Sequence, residues 1–243
     1  MIKTLIIDGY QTCIWTEKNA LEASLKVALN EVLQIRDERT VKAFESSYKK
    51  TGQDFAKKMG ADKPILMDDA ILFKMVSDNV NARITMQKAR YLADKRWNVF
   101  SEIIRLYQDT LPSLETLSKS FYLVLCVDGC ARYELPIMRK LKLDVIFKEI
   151  FITDQFKKSK EKPETWKLIL KKLGNKPEQV CVIDDRPKNI LAASSIGLST
   201  LRIKRGKYKQ EPSLVVDPFE VSSLKEACLV LYDKNTYKPT QTR

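Results

Sequence analysis

The chain has 243 residues, of which 44% are hydrophobic and 30% are charged, so it can bury a sizeable core as a soluble globular protein. It contains no histidine, which excludes Ser-His-Asp triads, Cys-His dyads and His-ligated zinc sites. Its formal net charge of +12 suits an anionic substrate and leaves nucleic acid as a weaker alternative, since basic surfaces are typical of nucleic-acid binding.

The first predicted element is a buried strand over residues 4–7, where a short apolar run ends before Gly9. Asp8 follows at the carboxyl end of this strand. Ligands of open α/β sheets bind beyond the carboxyl ends of the strands, so Asp8 is a candidate nucleophile or metal ligand.

Four helices are predicted next, because apolar residues recur at helical spacing. Thr16 is the expected N-cap of the first helix, whose apolar positions run to residue 33. The second ends near Gly60, the third begins near Pro64, and the fourth covers about 84–107. We expect an all-helical cap formed by residues 16–108.

After residue 108, short apolar strands alternate with amphipathic helices, which is typical of a parallel, doubly wound sheet. The predicted strands are 122–127, 149–153, 180–183, 200–203 and an edge strand at 214–216; the predicted helices are 133–141, 163–173, 187–193 and 222–231. The predicted fold class is therefore α/β, with a Rossmann-like core of residues 1–15 and 109–243 interrupted by the helical cap. The polar tail from Lys234 is expected to fray.

Acidic residues follow three of these strands. Besides Asp8, they are Asp128 after the strand at 122–127, and Asp184 and Asp185 after the strand at 180–183. Parallel strands would bring them to one edge of the sheet, where carboxylates repel one another unless a cation offsets their charge. Mg²⁺ fits this need, because it takes oxygen ligands from carboxylates and from substrate phosphate.

Four motifs, in this order, resemble those of haloacid dehalogenase-like hydrolases with a helical cap: DGYQT at 8–12, CVDG at 126–129, EKPETW at 161–166 and IDDRPKNI at 183–190. The resemblance implies that Asp8 is the nucleophile and that Lys162 steadies the phosphoryl oxygens. It implies a Mg²⁺ site formed by Asp8, Asp184, Asp185 and the backbone carbonyl of Tyr10. It also makes four residues candidates for substrate binding: Thr12, Val127, Asp128 and Gly129. The neighbouring Lys157, Lys158 and Lys160 are expected to form a solvated loop.

The sequence departs from the family's phosphatases at two positions. They carry an acid-base aspartate two residues after the nucleophile, where this chain has Tyr10. A phenol with a pKa near 10 is a poor replacement for a group worth about 10² to 10⁴ in rate. They also end motif two in Ser or Thr, which binds a phosphoryl oxygen, where this chain has Val127.

We interpret the chain as a Mg²⁺-dependent hydrolase that acts on a small phosphorylated molecule through an aspartyl-phosphate, with Tyr10 at the acid-base position. A weakly active or non-catalytic binding protein is one alternative, because of the two departures. A 2-haloacid dehalogenase is another, because that branch carries tyrosine at this place; however, its enzymes have neutral serine and asparagine where this chain has Asp184 and Asp185.

The expected location is cytoplasmic. No window approaches the roughly 20 apolar residues of a membrane span, and the N-terminus lacks a signal-peptide pattern. The chain has five cysteines, and an odd number is typical of a reducing compartment.

Overall fold

A computed structural model describes residues 1–17, 19–79, 83–215 and 219–233. Its strands are β1 (Thr4–Asp8), β2 (Ile14–Trp15), β3 (Arg105–Leu106), β4 (Tyr122–Val127), β5 (Glu149–Ile152), β6 (Val180–Asp184), β7 (Ser199–Ile203) and β8 (Glu220–Val221). Six of them form a parallel sheet in the order β5-β4-β1-β6-β7-β8. The other two, β2 and β3, pair antiparallel at the point where the chain leaves and re-enters the core.

Helices occupy two regions of the described chain. Between β2 and β3 lie α1 (Ala20–Leu33), α2 (Glu38–Lys58), α3 (Asp69–Asn79) and α4 (Met86–Ile103). Around the sheet lie α5 (Thr110–Ser118), α6 (Ala131–Lys140), α7 (Pro163–Leu173), α8 (Pro187–Ser194) and α9 (Leu224–Tyr232). The predicted α/β class is confirmed, whereas the predicted boundaries between core and cap remain a prediction.

The central strand β1 is buried on both faces of the sheet. Leu5 and Ile7 pack into one hydrophobic cluster and Ile6 into the other, beside Trp166 of α7. This alternation explains the uninterrupted apolar run, because a strand covered on both faces has no solvent side. Each such side chain contributes about 1.5–3 kcal/mol by its burial, which fixes the position of Asp8 at the strand end.

Several predicted element ends are wrong. Helix α1 begins at Ala20 with Asn19 at its N-cap position, because the Thr16 hydroxyl instead accepts a 2.6 Å hydrogen bond from Gln11. Pro64 opens a 3₁₀ turn rather than a helix. Residues 214 and 215 lie in a bend, and β8 is the edge strand. Residue 216 and the tail from 234 lie outside the described residues.

The cap packs onto the core through Trp97 of α4. Its ring stacks on Tyr133 of α6, with centroids 5.2 Å apart and planes 7° apart. The indole N–H donates a 2.7 Å hydrogen bond to Asp69, which also accepts from Arg96 at 2.8 Å. The buried Asp69 therefore fixes the orientation of Trp97. Within the described ranges, no helix combines the length and apolarity needed to cross a membrane.

Candidate active site

The three strands that end at the site are neighbours in the sheet. Asp8 pairs in register with Cys126 of β4, and Ile7 pairs with Ile183 of β6. The carboxyl ends of β4, β1 and β6 therefore lie side by side, as predicted for a parallel sheet. The chain after Asp8 passes close to β4, since a Cβ atom at Gly9 would lie 2.8 Å from Val127 Cγ2.

Asp8, Asp184 and Asp185 converge at this edge, each with a carboxylate oxygen within 4.8 Å of the others. Asp184 has protein donors for both oxygens: the Lys160 ammonium at 2.8 Å, the Asn189 amide at 3.0 Å, and the Arg186 N–H at 2.9 Å. In contrast, Asp8 Oδ2 and Asp185 Oδ2 are buried without a hydrogen-bond partner. The two orphaned oxygens lie where a cation would meet oxygen ligands.

The electrostatics of these carboxylates are unfavourable without a cation. Burial raises the pKa of Asp8 to about 7, although Lys160 opposes this rise. Burial and the charges of Asp8 and Asp184 raise the pKa of Asp185 well above its ordinary value. Hard oxygen donors around buried negative charge are the ligands that Mg²⁺ prefers, so the residues present fit this ion.

The lysine of the site is Lys160, not the predicted Lys162. The Lys160 side chain is 2% exposed, and its ammonium contacts Asp8 and Asp184 and donates to the Cys126 carbonyl at 3.2 Å. Burial lowers the pKa of this ammonium, but Asp184 and Asp8 raise it well above its ordinary value. Lys160 is therefore a cation at neutral pH.

A tight turn explains why Lys162 lies elsewhere. The Lys162 N–H donates to the Ser159 carbonyl at 3.0 Å, and its backbone is extended at the N-cap position before Pro163. The side chain of Lys162 is exposed. Trp166 holds Lys160 in place by donating its indole N–H to the Lys160 carbonyl at 2.8 Å. Both lysines precede the same proline, so spacing alone could not separate them.

The residues of motif two have different surroundings from those expected. Val127 is buried and offers the site no hydrogen-bonding side chain. Asp128 turns toward residues 157–162, here called the lysine loop: its Oδ1 accepts the Lys160 N–H at 2.8 Å and the Thr153 hydroxyl at 2.9 Å. Its charge therefore anchors the backbone of Lys160. Gly129 leaves room for the buried Glu134, whose Oε1 would lie 2.6 Å from a Cβ atom there.

The partly buried Tyr10 and the buried Glu134 form a pair beside Asp8. The Tyr10 hydroxyl donates to Glu134 Oε2 at 2.7 Å, while Glu134 Oε1 has no partner. Burial and Glu134 raise the pKa of Tyr10 well above its ordinary value, and burial raises the pKa of Glu134 to about 8. Sequence reasoning missed Glu134, which lies on a helix of the core and carries no motif signal. Thr12, also predicted for the site, is fully buried.

A cavity of about 270 Å³ opens above these groups. Its floor includes Asp8, Lys160 and Asp185. The cap supplies an apolar wall from α1, α4 and the 3₁₀ turn, formed by Leu21, Ile65, Trp97 and Phe100. The cavity is small, so a compact ligand would contact both the carboxylate edge and the cap.

Three basic residues in and just after β7 pair with carboxylates of the same chain. The Arg202 side chain is fully buried and pairs with Glu220 at 3.0 Å, and Lys204 lies 3.1 Å from the same carboxylate. Arg205 pairs with Asp109 at 2.8 Å. The charges of these three residues are therefore offset within the molecule.

Comparison with known proteins identifies the family of this chain through its family model. The family model for haloacid dehalogenase-like hydrolases matches residues 2–197. A phosphorylated carbohydrates phosphatase of Thermotoga maritima is 32% identical over 139 residues, 57% of this chain and 60% of that protein. A glyceraldehyde 3-phosphate phosphatase of Methanopyrus kandleri is 25% identical over 211 residues, 86% of this chain and 87% of that protein.

Among solved structures, a 2-haloacid dehalogenase of Pseudomonas syringae is similar in fold, with a TM-score of 0.71 and 20% identity. The match covers 95% of this chain and 98% of that one. The matched segment of the Thermotoga maritima relative spans less than two thirds of that protein, so its substrate does not transfer directly. The family model, the motif order and the carboxylate edge agree, and the chain belongs to the haloacid dehalogenase-like hydrolases.

Proposed function

We propose that the protein is a Mg²⁺-dependent phosphatase of small phosphorylated molecules, with Asp8 as the nucleophile that forms an aspartyl-phosphate. The observation that carries this proposal is the pair of orphaned, buried oxygens on Asp8 and Asp185. A site with this charge suits a cation together with a phosphoryl group. It would repel the carboxylate of a 2-haloacid.

Asp8 and Asp185 would hold the ion, with Asp184 beside them and the backbone carbonyl of Tyr10 as a further ligand. When bound, Mg²⁺ polarises a phosphoryl oxygen and offsets the negative charge of the site. Asp184 has a second task that supports the proposal, because its hydrogen bonds orient the Lys160 ammonium. Thus Asp184 would mainly orient the lysine, and Asp185 would mainly bind the metal ion.

Lys160 would take the role that the motif implied for Lys162. Its ammonium contacts Asp8, so it can orient the attacking carboxylate and stabilise charge on the phosphoryl oxygens. Attack by Asp8 on phosphorus would form the Asp8–phosphate bond and release the leaving-group oxygen. Water would then cleave the aspartyl-phosphate. Thr12, Asp128 and Gly129 remain candidates for contacts with the substrate.

Tyr10 sets the expected leaving group. Its hydroxyl is committed to Glu134 and its pKa is raised, so it cannot replace an acid-base aspartate at neutral pH. Substrates whose leaving groups depart without a proton, such as aryl and acyl phosphates, should therefore react faster than alkyl phosphates.

Two observations favour a weakly active or non-catalytic protein as the second candidate. Val127 provides no hydroxyl for a phosphoryl oxygen, and the Tyr10 hydroxyl is engaged by Glu134. A 2-haloacid dehalogenase is less favoured, because Asp184 and Asp185 are buried acids at the site. The names of the Thermotoga and Methanopyrus relatives, both phosphatases, support the first proposal.

Initial rates on phenyl phosphate, ethyl phosphate and 2-chloropropionate, each with and without Mg²⁺, test these functions. We expect Mg²⁺-dependent release of phosphate, faster from the aryl ester, and none from Asp8→Asn, whose amide cannot attack phosphorus. Circular dichroism confirms that the variant is folded. Metal-independent release of halide would support the dehalogenase, and no turnover of any substrate would support the non-catalytic protein.

A further inference from the structure

Two adjacent residues of the cap hold both neighbours of Lys160. The Asp62 carboxylate accepts the Ser159 N–H at 2.8 Å and the Ser159 hydroxyl at 2.6 Å. The Lys63 ammonium lies 2.7 Å from Glu161 Oε1. Asp62 and Lys63 precede the 3₁₀ turn that begins at Pro64, within the cap. The cap therefore contacts the lysine loop on either side of the lysine.

The contacts reach a buried part of the loop. Ser159 is fully buried, and its carbonyl accepts hydrogen bonds from Lys162 N–H at 3.0 Å and the Thr165 hydroxyl at 2.8 Å. This turn sets the direction in which Lys160 leaves the backbone. A carboxylate that binds both the N–H and the hydroxyl of Ser159 forms two charge-assisted hydrogen bonds, which are stronger than neutral ones.

The second contact joins a network that reaches the site. Glu161 pairs with Arg186 as well as with Lys63. Arg186 directly follows Asp185, and its N–H donates to Asp184 at 2.9 Å. The Lys63 ammonium also lies 4.0 Å from Asp128 Oδ2, whose other oxygen accepts the Lys160 N–H. Lys63 is thus close to one carboxylate of the loop, Glu161, and to one that binds the loop, Asp128.

We propose that Asp62 and Lys63 are positioning residues that place Lys160 at Asp8 and Asp184 while the cap is docked. Separation of the cap would break both contacts and release the loop on each side of the lysine. The catalytic consequence rests on the function proposed above. The ordering of the loop follows from the contacts alone.

Four variants test this proposal. Asp62→Ala removes the acceptor from Ser159, whereas Asp62→Asn keeps a carbonyl for the N–H and an amide for the hydroxyl oxygen. Lys63→Met removes the contact with Glu161. Asp94→Ala is the matched control, because Asp94 also joins cap to core, pairing with Arg132 at 3.6 Å through half-exposed side chains.

Hydrogen exchange of residues 157–161 and steady-state kinetics on phenyl phosphate are the two measurements. Asp62→Ala should raise exchange at Ser159 and Lys160 and lower kcat, each by about tenfold, because an anchor of the buried loop is lost. KM should change less than kcat, since the contact acts through Lys160. Asp62→Asn should restore most of both, Lys63→Met should shift both in the same direction, and the control should match the wild type.

Unchanged exchange in Asp62→Ala would overturn the proposal, and so would faster exchange with an unchanged kcat, which indicates a purely structural contact. If the wild-type protein hydrolyses no phosphate ester, the proposed function fails by itself. In that case the exchange measurement alone decides whether the cap orders the lysine loop.

Discussion

Replacing Lys160 with methionine tests which of the two lysines before Pro163 acts at the site. The methionine keeps most of the length of the side chain but removes the cation between Asp8 and Asp184. The matched control is Lys162→Met, which changes an exposed side chain of the same type in the same loop.

The expected magnitude follows from the burial of Lys160. Removing one partner of a buried ion pair typically costs about 3–5 kcal/mol, because the remaining charge is left uncompensated. Asp184 keeps the Asn189 amide and the Arg186 N–H as donors, so most of the penalty falls on Asp8. If the proposed function is correct, loss of this electrostatic stabilisation also lowers kcat by about 10² to 10³.

Urea denaturation at neutral pH and initial rates on phenyl phosphate measure the two effects. Lys162→Met should change the free energy of unfolding by no more than about 0.5 kcal/mol, as expected for an exposed position, and leave turnover intact. Loss of turnover in Lys162→Met with retention in Lys160→Met would refute the assignment. Equal stability of Lys160→Met and the wild type would refute the buried ion pair.

Three further predictions concern the metal site, the tyrosine and the C-terminal part of the fold. Asp185→Ala should abolish the Mg²⁺ binding that calorimetry detects in the wild type. It should also abolish the stabilisation by Mg²⁺, which is about 2.7 kcal/mol when the Mg²⁺ concentration is 100 times Kd. A Mg²⁺-induced rise in Tm equal to that of the wild type would contradict this. Tyr10→Phe should lower the free energy of unfolding by about 1–3 kcal/mol in urea, because buried Glu134 loses its donor, and unchanged stability would count against the pair. Burial disfavours ionisation of Asp109, but Arg205 and the N–H groups of Leu224 and Lys225 outweigh it, so its pKa lies below the ordinary value. The ionised Asp109 carboxylate stabilises the fold above its unfolded pKa, and this stabilisation is lost as the pH falls through its folded pKa. Asp109→Asn should therefore cost about 1–3 kcal/mol at neutral pH and progressively less in acid; a loss that does not shrink as the pH falls would refute it.

The sequence by itself determined the layout of the core. Strands, helices and their alternation are local properties of the chain, since burial on both faces leaves continuous apolar runs and burial on one face leaves helical periodicity. Once a parallel sheet follows from this alternation, the residues at the carboxyl ends of β1, β4 and β6 must lie at one edge. The convergence of Asp8, Asp184 and Asp185 was therefore predictable without knowledge of a single contact.

The short strands at the junction of core and cap could not be predicted from local sequence patterns. The strands β2 and β3 contain two residues each and pair across about ninety positions of sequence, which no local period can indicate. Thr16 has the side chain of a helix cap, but its hydroxyl accepts a hydrogen bond from Gln11 in the preceding turn.

Only the tertiary structure decided which charged side chains contact one another at the site. Lys160 and Lys162 are chemically identical and adjacent to the same helix, but the turn at Ser159 points one inward and leaves the other in solvent. Likewise, the adjacent Asp184 and Asp185 differ because only Asp184 meets the Lys160 ammonium and the Asn189 amide. Glu134 lies on α6, outside all four motifs, and still contributes its side chain to the site. These distinctions depend on donors brought together from distant segments, and a local pattern carries no information about such partners.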